Sequence, residues 1–421
     1  MSAANVVEHV TCLGCGCGCD DVTVTVRENA IVEATPVCPL GRAWFGDGRV
    51  PSQVLSGGRP STLEAAIAAA AATLTAARGR CLVFLAPDLS SQAQRRALEV
   101  ADLLRATVDS DTSETAATGL LTAQRRGRAG ATLGEIRNRG DVFLFWGTDP
   151  AVRYPRFLER YSIKPAGAHV PAGGPARDLI GVSIGTDRSL ATSVTLELGA
   201  EEEITALSLL RAIVAGATVS DSPLAERLRD IAARLTRARY AVLVHDAEPT
   251  DEPRNPLRIE GLIALAQALN GPTRAALCSL RAGGNRVGAE AVLTSQTGYP
   301  FAVDYSRGYP RYQPERRGLV RLRERGLHSA LVVGSAVFSE EDAAALSSVP
   351  TVAIGPRASQ ARFTTSVAID TGVAGIHESG VAYRMDEVPL ELRPPLSGPT
   401  TTADVLAALS EALRSVPVHF G

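Results

Sequence analysis

The chain lacks a strong excess of either charge. Its 43 Lys and Arg stand against 45 Asp and Glu, a formal net charge of -2 at pH 7. No basic face of the kind that a phosphate backbone demands is to be expected, so nucleic acid is excluded as a partner. Long apolar runs are missing too. No stretch reaches the ~20 uncharged apolar residues of a bilayer span, and no membrane association is expected. The opening segment, MSAANVVEHVTCLGC, carries neither a basic n-region nor an apolar h-region, which makes a cytoplasmic location the expectation. The 6 histidines are scattered without ligand spacing. His9, His377 and the other four therefore read as ordinary surface or core residues.

Cysteine is scarce but crowded. Of 7 cysteines in 421 residues, Cys12, Cys15, Cys17, Cys19 and Cys38 fall in the first tenth of the chain. Cys12, Cys15 and Cys19 are spaced C-x2-C-x3-C, and a short hairpin can bring Cys38 back to them. Four soft thiolates with no histidine among them point to an iron-sulfur cluster or a structural zinc. In a reducing compartment these residues read as metal ligands more readily than as disulfides. Cys17, between Cys15 and Cys19, could substitute for either. Cys81 and Cys278 sit in apolar strand-like runs and read as small buried hydrophobes.

With 45% apolar residues, the chain can bury several cores. DDVTVTVRENAIVEATP alternates apolar and polar residues on both sides of Glu28-Asn29, a hairpin pattern. From Leu63 onward helices and short strands alternate: LEAAIAAAAATLTAA, CLVFLAP, SSQAQRRALEVADLLRA, DVFLFWGTDP, DLIGVSIG, TSVTLEL, EEITALSLLRAIVAG, LAERLRDIAARL, YAVLVHDA, AALCSL, HSALVVGS and PTVAIGP. This is the texture of an α/β protein with parallel sheets and at least two Rossmann-like units, whose carboxyl edges are the usual ligand sites. Two polar, glycine-rich stretches, Leu280–Tyr312 and Gly375–Asp386, read as long functional loops. Their glycines allow close backbone approach, and their arginines suit phosphate or carboxylate. In the first, Gly298, Tyr299, Arg307 and Arg311 are candidates for a cofactor pocket or a subunit contact, because an aromatic, arginine-rich loop is costly to order without a use.

Five segments, in one order along nearly the whole chain, resemble the B-type subunit of formylmethanofuran dehydrogenase. They are CLGCGCGCDDVTV with VCPLGRAWF; VDSDTSETAATG; GEIRNRGDVFLFWGTDPAVRYPRFLERYS; GGNRVGAEAVLTSQTGYPFAVDYSRGYPRY; and AGIHESGVAYRMDEVPLELRPP. The resemblance implies a truncated molybdopterin-oxidoreductase architecture: a [4Fe-4S] subdomain, then Rossmann-like domains holding a tungsten or molybdenum bis-pterin, with the terminal β-barrel on another chain. It implies Cys12, Cys15, Cys19 and Cys38 as cluster ligands and Arg281 as the arginine near the substrate. The expected divisions are a four-cysteine subdomain over 1–55, an α/β domain over 56–165 to which later segments return, a Rossmann-like domain over 166–315, and an α/β segment over 316–421 completing a pterin-domain-like fold. Arg137, Arg139 and Arg156 lie in the family-like stretch, either pairing with nearby acids or meeting a pterin or partner subunit.

The sequence departs from the family at one place. Thr115 falls at or next to the position of the metal-ligating cysteine and Ala116 at that of its histidine. A hydroxyl is a poor donor to tungsten or molybdenum, and alanine moves no proton. Redox catalysis and the metal-pterin are therefore not expected. A bacterial formyltransferase/hydrolase complex of related subunits suits such a chain. There, a formyl group passes from tetrahydromethanopterin through a methanofuran-type carrier and leaves as formate, the chemistry belonging to other subunits. The expected partners are the A-, C- and D-type subunits, with the carrier met indirectly. The alternative is an active tungsten or molybdenum dehydrogenase subunit with an unusual metal ligand.

Overall fold

A computed structural model describes residues 4–190, 194–248 and 254–415. Thr192 and Ser193 of the expected strand TSVTLEL, and His419, lie outside these. The chain divides into two compact units, Met1–Glu114 with Gly283–Gly421, and Thr115–Ala282. The boundaries expected at 165 and 315 fall inside these units.

The first unit opens with an antiparallel sheet, β1 (Asn5–Cys12), β2 (Cys19–Arg27) and β3 (Ala30–Thr35). Val22, Val24 and Val26 of β2 point inward while Thr23 and Thr25 between them do not, the period-2 pattern of a sheet with one face buried. Glu28 and Asn29 both take positive φ, 51° and 54°, and so form the tight turn between β2 and β3. After α1 (Pro39–Phe45) come β4 (Val54–Ser56), β5 (Arg59–Pro60) and α2 (Leu63–Thr75). The chain continues through β6 (Cys81–Leu85), α3 (Ser91–Leu104), β7 (Thr107–Ser110) and α4 (Thr112–Thr115). Thr62 and Ser90 cap α2 and α3 by accepting the Ala65 and Ala93 N–H groups.

The second unit contains α5 (Ala117–Arg126), α6 (Leu133–Arg139), β8 (Val142–Trp146), α7 (Pro150–Arg153), β9 (Asp178–Ile184), β10 (Val194–Leu198), α8 (Glu203–Val214), α9 (Pro223–Arg237), β11 (Ala241–Asp246), α10 (Leu257–Leu269) and β12 (Ala275–Leu280). Its sheet runs β10-β9-β8-β11-β12, parallel throughout. Within this unit the order is third, second, first, fourth, fifth, the doubly wound arrangement whose topological switch lies between β8 and β11. Its core packs Leu144, Trp146, Val182, Leu243 and Leu277 against helix residues such as Leu207, Leu228 and Leu262.

The chain then returns to the first unit as α11 (Arg286–Thr297), β13 (Val303–Asp304), β14 (Arg311–Tyr312), α12 (Gly318–Arg323), β15 (Ser329–Val333), α13 (Glu340–Ser347), β16 (Thr351–Gly355), β17 (Val367–Asp370), β18 (Gly380–Tyr383), β19 (Pro389–Leu392) and α14 (Thr402–Ser415). The large sheet runs β14-β13-β7-β6-β15-β16-β17-β4-β5. Strands β7, β6, β15, β16 and β17 are parallel, with the switch between β6 and β15, and antiparallel pairs close both sides. Cys81 lies fully buried at the start of β6 and Cys278 buried in β12, as expected.

The two stretches expected as loops contain regular structure. Leu280–Tyr312 holds the helix α11, whose Ala, Glu and Leu residues favour helix and which ends at Gly298 in the left-handed conformation. Gly283, Gly284 and Gly288 mask that signal in the sequence. Gly375–Asp386 holds β18, which pairs antiparallel with β19.

Candidate functional site

The cysteine loop closes the neck of the β1–β2 hairpin. Cys12 ends β1, Cys19 opens β2, and the two are paired across the ladder. Cys38 caps α1, accepting the Gly41 N–H on its Sγ at 3.4 Å, and Cys12 Sγ accepts the Gly14 N–H at 3.4 Å. Cys12, Cys15, Cys17 and Cys19 are buried and Cys38 is half-buried. Burial pushes the Cys12 thiol upward in pKa. The Gly14 N–H opposes that shift, and the charges of Cys19, Cys15 and Cys38 add to it. The four residues expected as ligands thus share one electrostatic neighbourhood. Among the described residues no three His, Cys, Asp or Glu side chains already form a set that could hold a metal ion. A zinc ion bonded to each sulfur at ~2.3 Å would require the thiols to be drawn together.

A second segment seats this loop. Gly284 N–H donates to Leu13 O at 2.8 Å, and Asn285 N–H donates to Pro87 O at 2.5 Å. Pro87 follows β6 at the carboxyl edge of the large sheet, beside the switch point. A methyl group on Gly283 would lie 2.6 Å from Gly14 O, and one on Gly284 would lie 2.4 Å from Pro87 O; neither position admits a side chain. Asn285, fully buried, donates to Leu89 O at 2.9 Å and Ser91 Oγ at 3.1 Å, and accepts the Tyr383 N–H at 2.7 Å. The β18–β19 hairpin completes the seat: Met385 N–H donates to Gly16 O at 3.1 Å, and Thr11 Oγ1 to Glu391 O at 2.7 Å. Leu13 packs there with Ala374, Ala382, Leu392 and Trp44.

In the second unit, a charged network lies at the switch point between β8 and β11. Trp146 Nε1, at the end of β8, donates to Glu203 Oε1 at 2.8 Å, and Arg258 Nε reaches the same oxygen. Arg254 Nε and Arg258 Nη1 lie 2.9 and 3.4 Å from Asp187 Oδ2, just past β9. Asp246, at the end of β11, accepts the Tyr154 hydroxyl at 2.9 Å and faces Arg153 at 3.0 Å. Burial drives the Asp246 carboxyl upward in pKa and Arg153 pulls it back. Glu248 binds Arg281 Nε and the Ala282 N–H, each at 3.0 Å. Four arginines, Arg153, Arg254, Arg258 and Arg281, here meet four acids, Asp187, Glu203, Asp246 and Glu248. Only Arg281 of these stood out in the sequence. The acidic run HDAE directly after the apolar strand YAVLV was the available signal for two more.

No family model matches the chain. Over 413 residues it is 31% identical to the B-type subunit of the tungsten-containing formylmethanofuran dehydrogenase 2 of Methanocaldococcus jannaschii, with 94% of each chain covered. The chain belongs to the formylmethanofuran dehydrogenase B-type family. The same subunit of Methanococcus maripaludis is 29% identical over 412 residues, covering 94% of this chain and 95% of that one. Among solved structures, the formyltransferase/hydrolase complex of Methylorubrum extorquens, in complex with methylofuran, contains a similar chain. The match covers 86% of this chain and 98% of that one, at 26% identity and a TM-score of 0.73.

The α/β architecture expected of a B-type formylmethanofuran dehydrogenase subunit is present, with its small antiparallel N-terminal sheet. The segment VDSDTSETAATG, on which the expected departure from the family falls, begins inside β7 and runs on past its end. Arg286 Nε binds Asp111 Oδ2 at 2.6 Å and Thr112 Oγ1 donates to Glu290 Oε1 at 2.7 Å, so α11 holds the start of this segment. Thr115 ends α4 half-buried, and Ala116 is buried before α5. The chain passes from the first unit to the second between Glu114 and Thr115 and returns between Ala282 and Gly283. Both passages adjoin candidate residues, Thr115 and Ala116 at one and Arg281 at the other.

Most of the other candidates have local partners. Gly298 caps α11 with φ 85°. Tyr299 stacks on Tyr312 with centroids 5.1 Å apart, and Arg311 Nη2 binds Asp304 Oδ2 at 2.8 Å. Arg307 is exposed in the turn before β14. Arg156 pairs with Glu159 at 2.6 Å, while Arg137 and Arg139 occupy the last turn of α6. His377 Nδ1 accepts the Val373 N–H at 3.1 Å.

Proposed function

We propose that this chain is the B-type component of a formyltransferase/hydrolase complex in one-carbon metabolism, acting as a non-redox scaffold that helps place a methanofuran-type carrier. Its partners would be the A-, C- and D-type subunits, and its location the cytoplasm. One observation carries this reading: the likeness to a chain of a formyltransferase/hydrolase complex, at a TM-score of 0.73 over 86% of this chain. The expectation that Thr115 falls at or next to the family's metal-ligating cysteine and Ala116 at its histidine agrees with it, since neither side chain supplies a soft donor or a proton relay. The pairing of Arg281 with Glu248 supports it, because the retained arginine is held by a carboxylate of its own unit.

The donor set of the cysteine loop fits an iron-sulfur cluster. Soft sulfurs, four of the five in this loop buried and two of them accepting backbone N–H groups, are donors of the kind such a cluster uses, and Cys12, Cys15, Cys19 and Cys38 would hold it once drawn together. A [4Fe-4S] group supplies one-electron chemistry to a redox partner and, without one, a covalent staple for the N-terminal sheet. The tungsten-containing names of the two archaeal relatives favour the second reading, an active dehydrogenase subunit. Elemental analysis of the purified complex separates the two. The scaffold reading expects no stoichiometric tungsten or molybdenum, and metal with bound pterin would overturn it. Iron with cluster absorbance is expected in the same sample; zinc in its place would refute the cluster.

A further inference from the structure

The second unit has a cavity of about 510 Å³ lined by Glu135, Arg139, His169, Arg239, Tyr240 and Arg274. It lies at the amino edge of the sheet, where β8, β11 and β12 begin, and so at the opposite edge from the charged network. Parallel pairing sets Ala241 beside Ala275, which brings Arg239 and Arg274, just before those strands, onto neighbouring chain segments ~4.8 Å apart.

The acids here do not balance the arginines. Asp141 accepts the backbone N–H groups of Arg239 and Tyr240 at 3.0 and 2.9 Å, and faces Arg239 Nε at 3.4 Å. Glu135 takes the Tyr240 hydroxyl and stands 3.9 Å from Arg139. Arg274 makes no ion pair with any of the described residues. Arg139, in the last turn of α6, also answers that helix's dipole. Arg239 and Arg274 lie beyond the helices and have no such duty. Arg239 Nη2 also donates to His169 O at 3.0 Å. Guanidiniums that line one cavity repel each other unless an anion joins them, and their planar donors match carboxylate and phosphate oxygens in pairs.

We propose that this cavity is a binding site for a small multivalent oxyanion, of phosphate or polycarboxylate type, held by Arg239 and Arg274 with Arg139 at its side. It is independent of the cysteine loop and of the formyl-transfer reading. The test is calorimetric titration of the full chain, alone and in its complex, with pyrophosphate and with citrate at low ionic strength. Saturable one-to-one binding of at least one anion is expected, and the stronger of the two names the ligand type. Arg274→Gln should weaken it ~10-fold, and Arg239→Gln with Arg274→Gln further, about 1.4 kcal/mol per decade. Arg125→Gln, outside the cavity, should leave it unchanged. All three positions are exposed, and an unchanged unfolding midpoint verifies that each variant folds. Three outcomes would overturn the proposal: no saturable binding of either anion, equal binding by the double variant, or binding by the isolated chain that vanishes in the complex because a partner's acids occupy the cavity.

Discussion

Gly284 donates its backbone N–H to Leu13 O at 2.8 Å, and this bond joins the cysteine loop to the edge of the large parallel sheet. Gly284 has φ 85°, and a side chain there would strike Pro87 O. Gly284→Ala should therefore cost about 2 kcal/mol or more. It should also expose Cys15 and Cys19 to thiol reagents. Unfolding midpoints and thiol-labelling rates measure this; a variant that labels at the wild-type rate would remove the seat from the account.

Asn285 should be as sensitive. Its buried side chain makes three hydrogen bonds shorter than about 3.2 Å, to Leu89, Ser91 and Tyr383. Asn285→Ala is expected to cost about 3 kcal/mol, because buried backbone groups are left unpaired. Gly288→Ala should fail similarly by another route, since its methyl group would sit 1.9 Å from Asn285 Oδ1. Urea titration of both variants checks this, and a Gly288→Ala midpoint equal to wild type would contradict it.

For the buried pair of Arg281 and Glu248, removal of one partner should be worse than removal of both. Glu248→Gln leaves a desolvated guanidinium and should cost about 3 kcal/mol, whereas Glu248→Leu with Arg281→Met should cost markedly less. A double-mutant cycle by chemical denaturation reads the difference. Additive losses would show that the two residues do not act as a pair.

His245 is buried on β11 with Nε2 2.8 Å from Ser279 Oγ. Burial lowers its pKa from 6.5 to about 3, helped by Arg258. The folded state keeps it neutral while the unfolded chain takes a proton below pH 6.5, so stability is whole above that pH and falls as the pH drops towards 3. The full loss is on the order of 5 kcal/mol. His245→Asn should flatten this acid limb in denaturation curves run at stepped pH, and an unaltered slope would assign the limb to other groups.

The strands and most helices were legible because their apolar runs and caps are local: CLVFL, VFLFW and AVLVHD are buried at every position. The turn at Glu28-Asn29 was legible for the same reason. Helix α11 was not, since Gly288 within it and Gly284 just before it serve close packing against Asn285 and Pro87, a requirement that shows only in the folded chain. Of the candidate site, the cysteines announced themselves by spacing. Glu248 and Asp246 did not, because an acid after a strand becomes informative only when the sheet order places it at a switch point.

The seat of the cysteine loop also fixes an order in time. Thr11 and Glu391, which bond across it, are 380 residues apart in the chain. A ribosome adding ~5–20 residues per second needs on the order of tens of seconds to travel that far. The first-made thiols must therefore wait, without their final seat, until nearly the last strands emerge. Any metal that depends on the finished loop has to be loaded late, after synthesis is almost complete.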